Sequence, residues 1–156
     1  MRESLVVFDC VVFLQGLIKE SGPAVTCLQR FEQGRFLLAI SPDILAELRD
    51  VVSSPRLRED FPLLTEEKAE QLIGSLLLKG KLFRHVPKHI EFPRDPDDEP
   101  YLNLGIEAGA HFIVTRDRDL LDLMRWDTEA GRDFQSRFRQ LKILDPAAFL
   151  KDLEAE

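Results

Sequence analysis

The sequence lacks the features that mark several common classes of protein. Its 156 residues include only two cysteines, Cys10 and Cys27, which are too few for a disulfide framework and form no CxxC metal-ligand pair. No segment approaches the roughly 18 consecutive apolar residues that a membrane-spanning helix needs. Asp9 follows the first apolar run too early for a secretory signal peptide. We therefore expect a cytoplasmic protein with no membrane association.

An excess of positive charge is also absent. The 21 Lys and Arg are outnumbered by 28 Asp and Glu, which gives a net charge of −7 and argues against a protein that coats nucleic acid non-specifically. A nuclease is not excluded, because a site made of carboxylates stays acidic until a metal binds. Residues 79–94 are locally basic. This segment is either a contact for nucleic acid or a loop whose charges are simply solvated.

The distribution of apolar residues predicts one α/β domain over residues 1–156. Short apolar runs typical of buried strands alternate with longer amphipathic segments typical of helices, which indicates a mostly parallel sheet. We expect residues 53–62 to be irregular, 87–96 to form a loop and 127–140 to be helical. The predicted strands cover residues 5–8, 36–40, 82–86, 111–115 and 141–144. The other predicted helices cover residues 11–18, 23–33, 42–52, 65–77, 97–108, 119–124 and a segment starting at Pro146.

One predicted helix carries an apolar stripe that has two possible uses. Its members recur at the i, i+3, i+4, i+7, i+8 spacing of one helix face. The stripe therefore belongs either to the core or to a dimer interface, and the spacing does not separate the two. Its members are Ala69, Leu72, Ile73, Leu76 and Leu77.

Acidic residues fall at the ends of the predicted elements. Asp9 ends the first strand and Asp117 follows a later one, and ligands of parallel sheets bind beyond the carboxyl ends of the strands. Asp97 and Asp98 precede a helix, where acids are also favoured by the helix dipole alone. Glu47 lies about 40° outside the apolar arc of its helix. We expect it on the flank of the buried face, paired with an arginine or a metal.

Carboxylates that converge repel one another, and a hard divalent cation with oxygen ligands relieves that repulsion. Such cations support phosphodiester hydrolysis. The sequence offers no P-loop, no GxSxG motif and no His pair at zinc spacing, so the acids are its main candidate chemistry.

Four segments in this order resemble the PIN domain, and in particular VapC-like toxins of toxin–antitoxin pairs. The segments are LVVFD (5–9), SPDILAEL (41–48), DPDDEPYL (95–102) and FIVTRDRDLL (112–121). The resemblance implies a three-layer α/β/α fold with a central parallel sheet, and RNA cleavage at acids that bind Mg²⁺ or Mn²⁺. It also implies a small antitoxin partner and a homodimer.

Residue by residue, the resemblance assigns four catalytic, metal-binding acids and several supporting residues. The acids are Asp9, Glu47, Asp98 and Asp117. The supporting residues are Thr115, which matches a hydroxyl residue that supports the site in the family, and the second-choice acids Asp95, Asp97 and Asp119. The possible RNA-binding residues are Arg116, Arg118, Lys79, Lys81, Arg84 and Lys88. Tyr101 and Trp126 are candidates for stacking on bases, although packing is the commoner role for such residues.

The chain departs from the PIN pattern at Val11, where the family usually has an asparagine close to the metal. Valine can neither ligate a cation nor donate a side-chain hydrogen bond. This motivates an alternative, in which the chain is a catalytically impaired PIN-like module that binds RNA or a protein. An aspartate-phosphorylated enzyme or receiver domain is a weaker third possibility, because Val11 stands where the phosphatase would carry its second acid.

Overall fold

The computed structural model describes residues 4–155, which form five strands and nine α-helices. Residues 1–3, part of the segment considered for a signal peptide, and residue 156 lie outside this range. The strands are β1 (Leu5–Phe8), β2 (Leu37–Ile40), β3 (Lys81–Leu82), β4 (Phe112–Val114) and β5 (Lys142–Leu144). The helices are α1 (Cys10–Ile18), α2 (Pro23–Glu32), α3 (Pro42–Val52), α4 (Pro55–Asp60), α5 (Glu66–Lys79), α6 (Glu99–Ala108), α7 (Arg118–Leu121), α8 (Glu129–Arg137) and α9 (Pro146–Glu154).

The five strands form one sheet in the order β3-β2-β1-β4-β5, and each pairing is parallel. β1 lies at the centre, and all four of its residues are buried. The predicted parallel α/β sheet is therefore confirmed. Because β1 has a neighbour on either side, the segments that follow β1, β2 and β4 meet at one edge of the sheet.

Helices cover both faces of the sheet. Phe149 of α9 contacts Phe112 of β4 with ring centroids 5.3 Å apart, whereas Gly105 of α6 lies against the side chain of Ile113, the next residue along β4. Successive residues of a strand point to opposite faces, so α9 and α6 pack on opposite sides. This confirms the three-layer α/β/α arrangement.

Most helix starts follow from local capping chemistry. The Ser41 hydroxyl accepts a hydrogen bond from the Ile44 N–H at 3.3 Å, and Pro42 begins α3, as predicted. The prediction that residues 53–62 are irregular was wrong, because the same Ser-Pro pattern recurs at Ser54 and Pro55 and begins α4. This helix buries none of its residues, so no apolar stripe indicated it.

The predicted stripe on α5 is divided between the core and the surface. Ala69, Leu72 and Leu76 are buried in the core, while Leu77 is 52% exposed and the adjacent Leu78 is 83% exposed. The core assignment is therefore confirmed for three members, and the dimer stays a prediction. Within residues 4–155, no helix is both long and apolar enough to cross a membrane.

Candidate functional site

The four predicted acids line a single cleft at the carboxyl edge of the sheet. The cleft has a volume of about 260 Å³ and lies where the segments after β1, β2 and β4 converge. Asp9 and Asp117 follow β1 and β4, Glu47 comes from α3, and Asp98 directly precedes α6. The other residues of its lining are Cys10, Val11, Asp97, Tyr101 and Arg116.

Asp9 is a buried carboxylate at the start of α1. Its Oδ1 accepts a hydrogen bond from the Val12 N–H at 2.9 Å, and its Oδ2 accepts one from the Thr115 hydroxyl. Only 5% of the residue is exposed. Burial raises the pKa of Asp9 above its usual range, and the nearby Asp117 raises it further, although the Thr115 hydrogen bond opposes this. Within the described chain, no cationic side chain forms a salt bridge with Asp9.

Thr115 connects two of the acids. Its side chain is fully buried, and its hydroxyl donates to Asp9 and accepts from the Asp117 N–H at 3.0 Å. Asp117 in turn caps α7, because its Oδ1 accepts from the Asp119 N–H at 2.8 Å. The backbone of one tight turn therefore sets the separation of Asp9 and Asp117.

Asp98 is the least satisfied polar group of the cleft. The residue is 8% exposed, and its Oδ2 has no hydrogen-bond partner within the described range. Burial raises the pKa of Asp98 to about 8, and the carboxylates of Asp117 and Asp95 add to the shift. A divalent cation fits this environment, because it would bind the unpartnered oxygen and relieve the repulsion between the acids.

The tightest group of acids contains two of the second-choice residues. One carboxylate oxygen from each of Asp95, Asp117 and Asp119 can be chosen so that all three lie within 4.8 Å of one another. Asp119 already has a cationic partner, since its Oδ1 lies 2.6 Å from Arg94 Nε. Within residues 4–155, Asp95 and Asp117 are the two members without a salt-bridge partner, and both carboxylates also raise the pKa of Asp98. Asp97 donates its N–H to Asp95 at 3.1 Å.

Glu47 is exposed, so the expectation that it avoids the solvent side was wrong. The residue nevertheless lines the cleft, because the flank of α3 can be exposed and still lie beside the other acids. Of its two predicted partners, an arginine or a metal, the arginine is not found in residues 4–155. Instead, Glu47 Oε1 accepts a hydrogen bond from the Tyr101 hydroxyl at 2.7 Å.

Tyr101 is the site residue whose role the sequence did not reveal. It is 3% exposed, so the packing expected of it is confirmed, but its hydroxyl also reaches the cleft. The available signal was its spacing, because a residue three positions after Asp98 lies near the same face of a helix. Its pairing with Glu47, which is 54 positions away, required the tertiary structure. The packing expected of Trp126 was wrong, because 62% of that side chain is exposed.

The predicted RNA-binding residues do not form one surface at the cleft. Arg116 is the member that lines it. Lys79 binds Glu32 at 2.9 Å, at the end of α2 that leads into the amino end of β2, away from the acids. Lys88 pairs with Glu91 at 3.4 Å, and Lys81 lies over the Phe83 ring. The structure therefore gives no support to a continuous basic track through residues 79–94.

Val11 lies in the first turn of α1 and lines the cleft beside the acids. Its side chain is 48% exposed. An apolar side chain therefore occupies part of the cleft wall where a polar group would be able to support a cation.

Comparisons with known proteins agree with this architecture. Residues 5–119, which include all four predicted acids, match the sequence profile of the PIN domain. The chain is also similar to an uncharacterized protein of Methanocaldococcus jannaschii, with 26% identity over 149 residues that cover 96% of this chain and 91% of the relative. PIN domains have a nuclease-type fold and generally use divalent metals, as the acidic cleft would require. The chain belongs to the PIN domain family.

Proposed function

We propose that this protein is a VapC-like, Mg²⁺- or Mn²⁺-dependent endoribonuclease. The observation that carries the proposal is the buried, unpartnered Oδ2 of Asp98, which is surrounded by carboxylates. A carboxylate oxygen that is denied both water and a hydrogen-bond donor is costly unless a proton or a cation binds it. The position of the cleft at the carboxyl edge of the sheet supports a ligand-binding role.

The proposed cation ligands are Asp9, Glu47, Asp98 and Asp117, with Asp95 close enough to contribute. When bound, a divalent cation would polarise the scissile phosphodiester and make water a better nucleophile. Thr115 holds the Asp9 carboxylate in place. Asp98 would give up its proton as the cation binds, because the cation offsets the burial that raises its pKa and the repulsion from Asp117 and Asp95 that adds to the shift.

Arg116 and Arg118 are the proposed contacts with the RNA backbone. Both follow β4 beside Asp117, and Arg116 lines the cleft, so phosphate contacts there would fix the strand relative to the acids. The cytoplasmic location, the homodimer and the small antitoxin partner also belong to this proposal, and the resemblance to VapC-like proteins supports them. The exposed Leu77 and Leu78 offer apolar surface for either protein partner.

The half-exposed Val11 favours a second candidate function. In that alternative, the cleft lacks a supporting polar group and the chain is a catalytically impaired module that binds RNA or a protein. Loss of such a supporting group typically weakens metal affinity or activity by about 10–100-fold. The two candidates therefore differ in turnover, and they agree on the fold.

The test is cleavage of single-stranded RNA in Mn²⁺ by the wild type and by Asp98→Asn, purified side by side. Cleavage by the wild type alone, abolished by EDTA, would support the nuclease. Equal cleavage by both proteins would contradict the assignment of the site. A folded wild type that binds RNA and does not cleave it would favour the impaired module. Asp145→Asn is the matched control, because Asp145 also caps a helix after a strand but lies outside the cleft lining.

A further inference from the structure

Tyr101 connects the separate elements that form the cleft. Its ring is buried in α6, and its hydroxyl accepts a hydrogen bond from the Cys10 N–H at 3.2 Å. The same hydroxyl donates to Glu47 Oε1 at 2.7 Å. One phenol group therefore joins α6 to the first turn of α1 and to the middle of α3.

The direction of this hydrogen bond is fixed by its two partners. A phenol has one proton to donate and also accepts hydrogen bonds through its oxygen. The Cys10 N–H can only donate, so the phenol oxygen accepts from it and the phenol proton points to Glu47.

Glu47 has few other contacts that would fix its carboxylate. The side chain has several rotatable bonds, it is exposed, and within residues 4–155 no salt bridge holds it. Fixing a glutamate side chain in one conformation costs conformational entropy. A charge-assisted hydrogen bond from a rigid, buried phenol offsets much of that cost before a ligand arrives.

We propose that Tyr101 is a positioning residue, which holds Glu47 Oε1 so that the glutamate faces Asp9 and Asp98 and is ready to bind a divalent cation. This inference rests on the proposed metal-dependent function and deepens it. Tyr101 itself would not touch the cation, because its hydroxyl is already occupied by Cys10 and Glu47.

The test uses Tyr101→Phe in the full chain, which keeps the buried ring and removes only the hydroxyl. Mn²⁺ affinity is measured by the electron paramagnetic resonance signal of free Mn²⁺ during titration. We expect the affinity to fall by about 10–100-fold, the range typical for partners that orient metal ligands. In RNA cleavage, the Mn²⁺ concentration for half-maximal rate should rise by the same factor, while the rate at saturating Mn²⁺ changes less.

A double-mutant cycle with Glu47→Gln separates positioning from a general structural role. If Tyr101 acts through Glu47, adding Tyr101→Phe to Glu47→Gln should not weaken Mn²⁺ binding further. Thr26→Val is the matched control, because it also removes a side-chain hydroxyl that donates a hydrogen bond, here to the Gly22 carbonyl at 3.1 Å on α2. It should leave Mn²⁺ affinity unchanged.

Unchanged Mn²⁺ affinity in Tyr101→Phe would overturn the inference, as would additive losses in the double mutant. A wild type that binds no Mn²⁺ would overturn both the inference and the proposed function. A wild type that binds Mn²⁺ but cleaves no RNA would contradict the nuclease alone, and the affinity of Tyr101→Phe would still decide the role of Tyr101.

Discussion

Two aspartates of this protein have the same local structure and very different surroundings. Asp9 follows the central strand β1, and Asp145 follows the edge strand β5. Both have φ −76° and ψ 167°, and both accept a hydrogen bond from the N–H three residues on, at 2.9 Å and 2.8 Å respectively. Asp9 is nevertheless 5% exposed with a raised pKa, whereas Asp145 is exposed.

The difference arises from the order of the strands. β1 has neighbours on both sides, and the segment that follows β4 brings Thr115 and Asp117 against Asp9. Among the strands of residues 4–155, β5 has a neighbour on one side only. An aspartate after the central strand, such as Asp9, is therefore shielded from water and lies close to other acids. An aspartate after the edge strand, at the rim of the sheet, remains only a helix cap. Position in the sheet turns a common capping residue into a candidate metal ligand.

The largest expected difference between these aspartates is in RNA cleavage. Asp9→Asn should reduce the Mn²⁺-dependent rate by more than about 100-fold, because it removes a proposed ligand and not merely a supporting group. Asp145→Asn should change the rate less than about twofold. Asparagine caps helices as well as aspartate does, so both variants should remain folded.

Initial cleavage rates and circular dichroism of both variants check this prediction. An active Asp9→Asn protein, or an Asp145→Asn protein that loses activity, would show that the centre and the rim are not functionally distinct.

The sequence predicted most of this fold, because strand and helix signals are local. The structure confirms the strand over residues 5–8, the helix start at Ser41-Pro42 and the first-turn acids Asp97 and Asp98. Each of these signals depends on residues close together in the sequence. Helix α4 was missed because it buries none of its residues. β3 is shorter than the predicted strand over residues 82–86, since it pairs only with Ala39 and Ile40 at the edge of the sheet.

The site was predicted only in part, because its detailed contacts depend on distant segments. The motifs indicated which acids face the same edge of the sheet. They did not indicate that Tyr101 donates a hydrogen bond to Glu47 or that Arg94 forms a salt bridge with Asp119, because these partners lie far apart along the chain. Asp9 and Asp145 both follow an apolar strand and precede a helix; the resemblance to the PIN domain singled out Asp9, and the strand order gives the physical reason.

The next largest effect concerns pH and the buried Asp98. Its pKa is about 8 in the folded protein, compared with an ordinary value of 3.8. The stability contributed by the protonated group is therefore complete below pH 3.8 and is lost as the pH rises through about 8. Between these values, the metal-free wild type should lose up to about 1.4 kcal/mol per pH unit relative to Asp98→Asn.

Thermal unfolding of both proteins in EDTA, from pH 5 to pH 9, checks this prediction. The Tm of Asp98→Asn should exceed that of the wild type by a margin that widens with pH. Saturating Mn²⁺ should remove this difference by raising the Tm of the wild type. A constant margin would mean that Asp98 is already ionised at pH 5.

A smaller effect is expected from removing the rim cap. Asp145→Ala should lower the free energy of unfolding by about 1 kcal/mol, because the Ala148 N–H loses its acceptor. Asp145→Asn should leave the free energy of unfolding nearly unchanged, because asparagine caps the helix equally well. Neither variant should alter the Tm increase that Mn²⁺ produces. Urea unfolding with and without Mn²⁺ measures both quantities, and a reduced Mn²⁺ response would place Asp145 within the metal site.

The smallest effect is expected at Trp126, whose exposure contrasts with that of Tyr101. The chain has one tryptophan and one tyrosine, and Tyr101 is 3% exposed whereas Trp126 is 62% exposed. The loop around Trp126 is braced from α8, since Arg132 donates to the Trp126 carbonyl at 2.9 Å and Gln135 donates to the Arg125 carbonyl at 3.2 Å. These bonds involve the backbone, so they survive removal of the indole ring.

Trp126→Ala should therefore change the free energy of unfolding by less than about 0.5 kcal/mol, as substitutions on open surface do. Urea unfolding followed by circular dichroism measures this change, since the variant has no tryptophan to report by fluorescence. The experiment should be repeated across a range of protein concentrations. A loss above 1 kcal/mol that grows with concentration would show that a second copy of the chain covers the ring, because association stabilises the folded state by mass action. A small, concentration-independent change would leave the indole free to meet another partner, and its fluorescence in the wild type would then report contact with RNA at this position alone.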